Sequence, residues 1–424
     1  MPSARAARAA AFSSLSALIA GSALAAPPIG RAPFVDPLNP PSYRSLDATE
    51  SARVELGLAV FNTQWVPAGT AGAARRDGLG PLFNAASCDA CHNNGARGRG
   101  PGGDGLAPPA LVIQLATRAP DGNVLPRGDP VYGRVFNTAA LPGVPPEGVV
   151  TIRYQELPGR YPDGATWSLR SPRYELTGLS YGPLMPGTLI KPRLAPALFG
   201  VGLLESVPQG LIRPQGDRRP PGRFGWQGEV SSIREQSAKA FALEMGLTSS
   251  DYPRDDCTSA QPQCLHQPDG GSPEVSGELF DALLAFQSAL AVPQARTPSG
   301  EGDDPGASLF GKLGCTVCHT PRLPVPSGMI APYTDLSLHD LGAALADATV
   351  AGVKVASRWR TAPLWGAGYR PRSSGSPTLL HDGRARSIEE AILWHDGEGR
   401  SARERFERLA AAQRRALLAW LEGL

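Results

Sequence analysis

The chain has 424 residues, and its 41 basic and 39 acidic side chains give a formal net charge of +2 at pH 7. Because the charges nearly balance and no basic run occurs, the sequence gives no support to a nucleic-acid partner, and we expect no such partner. The 49 glycines and 43 prolines favour long loops between short elements over a compact helical bundle. The length predicts two or three domains.

The N-terminus has the pattern of a secretory signal peptide. Arg5 and Arg8 precede the small and apolar run Ala9–Ala25, which ends in an Ala-x-Ala site. A membrane anchor is the alternative, but the run is short and weakly hydrophobic for a spanning helix. We therefore expect a signal peptide over residues 1–26, cleaved near Ala25 or Ala26, and a periplasmic protein without a membrane span.

Two copies of the pattern Cys-x-x-Cys-His occur, at Cys88–His92 and at Cys315–His319. This pattern is the attachment signature of a c-type haem, in which both thiols bond to the porphyrin and the His binds the iron. Zinc sites and thiol-exchange pairs also use Cys-x-x-Cys, but neither needs a His directly after the second Cys. The repeat predicts two covalently attached haem c groups, held by Cys88, Cys91, Cys315 and Cys318, with His92 and His319 as iron ligands.

The two remaining cysteines, Cys257 and Cys264, lie in a polar loop that contains proline. In an oxidising compartment, two cysteines that close a short loop are expected to form a disulfide. The alternative is a dithiol that carries out exchange chemistry, which usually has the spacing Cys-x-x-Cys. The sequence therefore favours a structural disulfide.

Several short patterns occur twice, once in each half of the chain, and indicate duplicated modules. The repeated pieces are Leu82-Phe83 and Leu309-Phe310, each four residues before its haem motif, then Arg193-Leu-Ala-Pro196 and Arg360-Thr-Ala-Pro363, and then Ser232-Ile-Arg-Glu235 and Ser387-Ile-Glu-Glu390. Serine as N-cap with acidic residues in the first turn predicts the start of a helix in each half. The fold expected from this pattern is mainly α, with two cytochrome c-like helical haem domains.

The first half carries an insertion of about residues 96–185 between its haem motif and the Arg-x-Ala-Pro turn. The runs Leu111–Leu115, Val149–Tyr154 and Thr166–Arg170 are β-prone and are bounded by Pro, Gly and Asp. They predict a β-rich insertion in the first domain.

The division into domains follows from these elements. An apolar stripe predicts a helix over Glu278–Leu290 at the end of the first domain. We expect an N-terminal haem domain over residues 27–292, a polar Gly/Pro-rich linker over 293–306 and a C-terminal haem domain over 307–424.

Longer segments carry a resemblance to a known family. They are Phe83–His92, Pro130–Gly133, Ser171–Leu176, Ala197–Pro208, Gly222–Trp226, Leu336–Gly342, Trp359–Trp365 and Leu380–His395. Together they resemble the di-haem oxidoreductase branch, also labelled thiol oxidoreductase, of the di-haem cytochrome c peroxidase superfamily. The label of thiol oxidation has no support from these residues.

The resemblance identifies a candidate sixth ligand for the second iron. In the peroxidases, a segment similar to His381–Ala391 places a Met ligand 14 residues after its His, and related enzymes that modify a partner protein have Tyr there. Here that position is His395. The resemblance therefore implies a bis-His haem, His319/His395, of lower potential than a His/Met haem. One alternative is that His395 only makes a polar contact at a helix end. The other is that His381 binds the iron, although we expect His381 and His339 to form hydrogen bonds near a propionate instead.

The first haem is expected to keep an open position, because no His follows His92 until His266. An open haem that reduces peroxide needs an acid/base group over the iron. In the peroxidases a Glu-Met pair supplies this acid/base group. Glu244-Met245 resembles that pair, so Glu244 is the first candidate, and Glu205 is the second. The alternative for either residue is a solvated helix carboxylate.

Three further residues are candidates at the haems. Trp226 is either an electron relay between the haems or a core side chain. Arg193 and Arg360 either bind haem propionates or form a structural salt bridge in each copy. The sequence leaves open whether calcium lies between the domains.

These features predict an exported di-haem oxidoreductase that resembles a peroxidase. The C-terminal haem would relay electrons from a small donor protein, a cytochrome or a cupredoxin, to the N-terminal haem, which would reduce peroxide or activate oxygen. The alternatives are a non-catalytic periplasmic electron carrier and a haem-based sensor.

Overall fold

The computed structural model describes residues 31–32, 42–118, 124–125, 128–214, 222–296, 304–355, 357–369 and 378–424. The predicted signal peptide and residues 297–303 of the predicted linker lie outside these described residues. The helices are α1 (Ala48–Asn62), α2 (Cys88–Cys91), α3 (Val201–Glu205), α4 (Ile233–Glu244), α5 (Pro262–Leu265), α6 (Gly277–Ala289), α7 (Pro305–Lys312), α8 (Ile388–Leu393), α9 (Arg400–Glu407) and α10 (Ala411–Gly423).

The strands are short except in the predicted insertion. They are β1 (Arg31–Ala32), β2 (Leu82–Phe83), β3 (Gly105–Leu106), β4 (Leu111–Arg118), β5 (Val124–Leu125), β6 (Val135–Phe136), β7 (Ala139–Ala140), β8 (Val149–Arg160), β9 (Thr166–Thr177), β10 (Leu189–Leu194), β11 (Val292–Pro293), β12 (Leu323–Val325), β13 (Gly328–Ile330), β14 (Leu338–Asp340), β15 (Asp347–Thr349), β16 (Lys354–Val355) and β17 (Arg358–Arg360).

The prediction of a mainly α fold is wrong. The protein is 29% helical and 21% strand, and several sheets are present. The predicted β-prone runs lie inside β4, β8 and β9, but further strands form in the second half, where only helices were expected. There β12 pairs with β13 and β14 with β17 inside the second half, while β15 pairs with β10, which is remote in sequence. Such pairing with partner strands outweighs local preference.

The largest sheet joins the two halves of the chain. Its six strands have the order β16-β15-β10-β4-β5, with β6 also paired to β4. In its centre β10 lies antiparallel to β4, from Leu189 opposite Ala116 to Leu194 opposite Leu111. Strand β15 of the second half pairs with β10 of the first. The two halves therefore share one sheet, while the predicted domain boundaries stay a prediction.

A long hairpin makes a second connection between the halves. Strands β8 and β9 pair along their whole length, from Val149 opposite Thr177 to Arg160 opposite Thr166. At the tip of the hairpin, Tyr161 belongs to the core that α7 and α10 form in the second half, and its hydroxyl donates to Glu389 at 2.7 Å. The insertion of the first half is thereby anchored on the C-terminal half.

Helices α1 and α6 form the core of the first half. Helix α1 begins with a capping box between Asp47 and Glu50. A Cβ atom on Gly57 would lie 2.0 Å from the Ala282 carbonyl oxygen, so only glycine permits this close approach. Helix α6 confirms the helix predicted over Glu278–Leu290, shifted by one residue.

The repeated sequence patterns have different structures in the two halves. Ser232 and Ser387 each cap a helix, as predicted. Leu82-Phe83, however, forms strand β2, whereas Leu309-Phe310 lies inside α7. Asp304 caps α7 and Pro305 occupies its first turn, a good helix start that the first copy lacks.

Two further predictions concern the disulfide and the membrane. Cys257 and Cys264 are joined by a disulfide, as predicted. Among the described residues, no helix has the length and apolar character needed to cross a bilayer.

Candidate functional site

The first Cys-x-x-Cys-His motif lies on the wall of a large cavity. Helix α2 holds Cys88 and Cys91 on a single turn, and the Ser87 hydroxyl caps it by accepting from the Ala90 amide. The cavity has a volume of about 760 Å³, within the roughly 300–1,000 Å³ of ligand pockets. Of the predicted site residues, it is lined by Cys88, Cys91, His92, Arg193, Trp226, Glu244 and Arg360.

Both motif histidines are oriented as neutral metal ligands. The Nδ1 atom of His92 lies 2.8 Å from the Pro196 carbonyl oxygen, and that of His319 lies 3.0 Å from the Tyr333 carbonyl oxygen. A carbonyl only accepts, so each Nδ1 carries the proton and Nε2 keeps its lone pair. Burial lowers the pKa of each ring to about 4, which keeps both imidazoles neutral at pH 7.

Three of the four motif thiols differ from those of exchange cysteines. Burial raises the pKa of Cys88 and Cys91 to about 12 and that of Cys315 to about 11. Redox-active cysteines instead have lowered pKa values, so these three thiols do not have the character of an exchange pair. In the described part of the chain, no three His, Cys, Asp or Glu side chains come together as a metal site.

His395 lies near the second motif. Its Nδ1 atom lies 2.8 Å from the Ala391 carbonyl oxygen, so Nε2 is left as the free nitrogen. Burial is the main reason why the pKa of His319 is low, and the charge of His395 lowers it further. The two rings therefore lie within electrostatic range. The expected polar contact at the helix end is present, and it is compatible with iron binding through Nε2.

The other histidines of the second half have partners of their own. His381 is stacked on Trp359, with ring centroids 3.8 Å apart and an angle of 15° between the planes. The His339 nitrogens lie 2.8 Å from Glu398 and 2.9 Å from Asp335. Asp335 contributes most to raising the pKa of His339 to about 10, and Cys318 of the second motif contributes next, so His339 lies beside that motif. His395 therefore remains the candidate sixth ligand.

The structure separates the two predicted acid/base candidates. Glu244 lines the cavity, and its Oε2 atom is buried without a hydrogen-bond partner. Burial raises the pKa of Glu244 to about 7, against the effect of a hydrogen bond from Asn84. Glu205 does not line the cavity. Its carboxylate instead accepts from the Ile233 amide at 2.7 Å, at the first residue of α4.

Arg193 and Arg360 both line the first cavity, although the repeated pattern predicted one arginine at each haem. Arg193 forms two 2.8 Å bonds with Asp347, and the two side chains are only 4% and 3% exposed. This is the structural salt bridge expected as the alternative. Arg360 instead donates to the backbone carbonyls of Gly225 and Thr361, and burial lowers its pKa to about 10.

Sequence reasoning missed Arg97, which also lines the cavity. Its Nη1 atom is buried without a partner, and burial lowers its pKa to about 10. A buried guanidinium without a carboxylate is costly, and an anionic group would offset that cost. Within the described residues, neither Arg97 nor Arg360 forms an ion pair. The signal that could have found Arg97 is the cationic Gly-rich loop directly after His92.

Trp226 lies in the wall between the first cavity and the second half. It is 8% exposed, and its indole N–H donates to the Leu194 carbonyl at 2.7 Å. Its own carbonyl accepts from the amide of Arg360, in strand β17, at 2.9 Å. Arg97 lies over its ring at 5.7 Å. Trp226 is therefore a buried side chain at the cavity wall, and its role as an electron relay stays a prediction.

The residues at the first cavity fit a haem group. His92 offers a free Nε2, and the buried Arg97 and Arg360 could each bind one of the two propionates. The unpaired Oε2 of Glu244 and Nη1 of Arg97 are polar atoms that a bound group would satisfy. No cluster that could hold calcium occurs in the ranges described.

Comparison with known proteins identifies the family. A family model described as "Di-haem oxidoreductase, putative peroxidase" matches residues 213–424. The match contains the second haem motif, His395, Trp226, Glu244 and Arg360, and it begins after the first motif. No curated protein and no solved structure matches the chain. Because the match covers half of the chain, the protein belongs to the family of di-haem oxidoreductases, whose cofactors are haem groups.

Proposed function

We propose that the protein is an exported di-haem c-type peroxidase. A small donor protein, a cytochrome or a cupredoxin, would supply electrons to a bis-His haem at the second motif. The N-terminal haem, held at the first motif, would use them to reduce peroxide or activate oxygen. Haem, when bound, supplies the iron that takes up electrons and polarises the O–O bond.

The observation that carries this proposal is Glu244 at the first cavity. Glu244 lines the cavity, its Oε2 atom is buried without a hydrogen-bond partner, and the pKa of its carboxyl group is about 7. A general base works best when its pKa is near the operating pH. Reduction of peroxide consumes two electrons and two protons and yields two waters. Glu244 would take a proton from the inner oxygen and return it to the outer oxygen as that oxygen leaves.

The other residues at the cavity have positioning roles. The Pro196 carbonyl fixes the His92 ring, and Arg97 and Arg360 would bind the propionates. Trp226, which is hydrogen-bonded to Leu194 of the first half and Arg360 of the second, would relay electrons between the haems. Covalent attachment at the four motif cysteines would hold both haems against loss.

The test is EPR of the oxidised, haem-loaded protein before and after adding hydrogen peroxide. We expect one high-spin and one low-spin haem, with the high-spin signal altered by peroxide. Two low-spin haems that do not respond to peroxide, before or after partial reduction, would instead identify an electron carrier.

The role of Glu244 is tested by comparing Glu244→Gln with Glu205→Gln. Loss of a general base slows a reaction about 10²- to 10⁴-fold, so we expect that loss in the peroxide rate of Glu244→Gln. The wild-type rate should rise as the pH increases through about 7, because Glu244 must first be deprotonated. Glu205→Gln weakens the start of α4 and should leave the pH profile in place. An unchanged profile in Glu244→Gln would remove Glu244 from the mechanism.

A further inference from the structure

The carbonyl that orients the His319 ring belongs to a short irregular segment, residues 333–335. The Nδ1 atom of His319 lies 3.0 Å from the Tyr333 carbonyl oxygen. Tyr333 has a left-handed backbone with φ of 54°, and a bulky residue keeps this conformation only when its surroundings hold it there. The Thr334 hydroxyl supplies one support, because it donates to the Thr361 carbonyl at 2.6 Å. The orientation of His319 therefore depends on how firmly this segment is held.

The loop that follows His395 lies close against strand β14. Gly397 has a φ of 54°, and a Cβ atom there would lie 2.5 Å from the Asp340 carbonyl oxygen, so this position requires glycine. The next residue, Glu398, accepts from the Asp340 amide through Oε1 at 2.9 Å. A Cβ atom on Gly399 would lie 3.1 Å from the His395 Cβ atom, so the loop folds back onto His395. The placement of His395 is thus tied to the contact between this loop and β14.

His339, in the middle of β14, is bonded to both of these parts. Its Nε2 atom lies 2.9 Å from Asp335 Oδ2, and its Nδ1 atom lies 2.8 Å from Glu398 Oε2. An ionised carboxylate can only accept, so both ring nitrogens carry protons and the ring is an imidazolium between two carboxylates. The His339 side chain is only 6% exposed, and hydrogen bonds between charged groups are stronger than those between neutral ones. With both nitrogens engaged, His339 has no lone pair to offer to iron.

We infer that His339 is a positioning residue of the second haem, which ties the segment that orients His319 to the loop that places His395. The two candidate ligands of this iron come from parts of the chain that are remote in sequence. The bonds from His339 to Asp335 and to Glu398 connect those parts directly. This inference rests on the proposed bis-His haem and deepens it, because it names what keeps the two ligands in register.

The strength with which His395 is held can be measured with cyanide. Cyanide has to displace His395 from the second iron, so its apparent dissociation constant falls when the histidine is held less firmly. The EPR spectrum of the oxidised, haem-loaded protein follows the second haem separately from the first. The variant His395→Ala sets the limit, because cyanide then meets no competing side chain.

The main variants remove the bond between His339 and Glu398 from either end. His339→Gln keeps a donor near the position of Nε2, which faces Asp335, and loses the donor that faces Glu398. Glu398→Gln keeps the acceptor for the Asp340 amide and loses the charge. Since the Glu398 side chain is 44% exposed, we expect the lower end of the effect of losing a hydrogen bond to a charged group, a fall of about 10-fold in the cyanide dissociation constant.

Further variants separate this bond from a general loosening of the fold. His339→Asn keeps a donor near the position of Nδ1, which faces Glu398, and should change the constant less. The matched control is Glu404→Gln, because Glu404 is also 44% exposed but pairs with Arg408, and it should bind cyanide as the wild type does. The double variant His339→Gln with Glu398→Gln should match the single variants, because both remove the same bond. Haem content and circular dichroism are measured for every variant.

The outcomes separate the inference from the proposal on which it rests. Wild-type cyanide binding in His339→Gln and Glu398→Gln, with much tighter binding in His395→Ala, would overturn the role of His339 and keep the bis-His haem. Binding by His395→Ala that is no tighter than in the wild type would remove His395 from the iron and overturn both. Additive effects in the double variant, or an equal effect in Glu404→Gln, would show a general loosening and would also refute the inference. The response of the first haem to peroxide remains the separate test of the peroxidase.

Discussion

Removal of one charge at the junction of the two halves should destabilise the protein strongly. Asp347, from the second half, makes two 2.8 Å bonds to Arg193 of the first half, and both side chains are almost fully buried. Asp347→Asn leaves the Arg193 guanidinium without a counter-charge in that environment. Breaking a buried pair in this way costs about 3–5 kcal/mol, and we expect a loss of this size.

The comparison is with an exposed pair. Arg408 and Glu404 are 66% and 44% exposed and lie 3.3 Å apart, so Glu404→Gln should cost less than about 1 kcal/mol. The assay is equilibrium denaturation of the haem-loaded protein, followed by circular dichroism and by the haem absorbance. An Asp347→Asn variant as stable as Glu404→Gln would refute the reasoning. The double change Arg193→Met with Asp347→Leu should recover most of the loss, because it leaves no buried charge.

The same pair predicts a dependence of stability on pH. Burial acts to raise the pKa of Asp347, but the charge and hydrogen bonds of Arg193 outweigh it and lower the pKa below its usual value. The stabilisation is therefore complete above the unfolded-state pKa, about 3.9. It is lost as the pH falls through the lower folded-state pKa.

Two other predictions concern the second haem and the disulfide. His395→Ala should convert the low-spin EPR signal of that haem to high spin, whereas His381→Ala should leave it low spin. The opposite result would make His381 the ligand. Replacing Cys257 and Cys264 together by Ser opens a loop with a sequence separation of 7, which should cost about 2.5 kcal/mol by the chain-entropy relation. Haem spectra should not change, and an altered peroxide rate would contradict a purely structural role.

The sequence determines the local chemistry of this protein. The pattern Cys-x-x-Cys-His needs only one turn of backbone, so the motifs are readable without the fold. The helix starts at Ser232 and Ser387 are equally local, because an N-cap bonds within its own first turn. The disulfide follows from two cysteines a short loop apart.

The tertiary structure alone decides which distant residues meet. No local pattern shows that β15 joins the sheet of the first half or that Arg360 crosses to the first cavity, because strand pairing depends on partners remote in sequence. The same holds for Glu244 and Glu205, which are both helix carboxylates in the sequence. One faces the cavity and the other caps a helix, since burial and partners, not residue type, set the role of an acid.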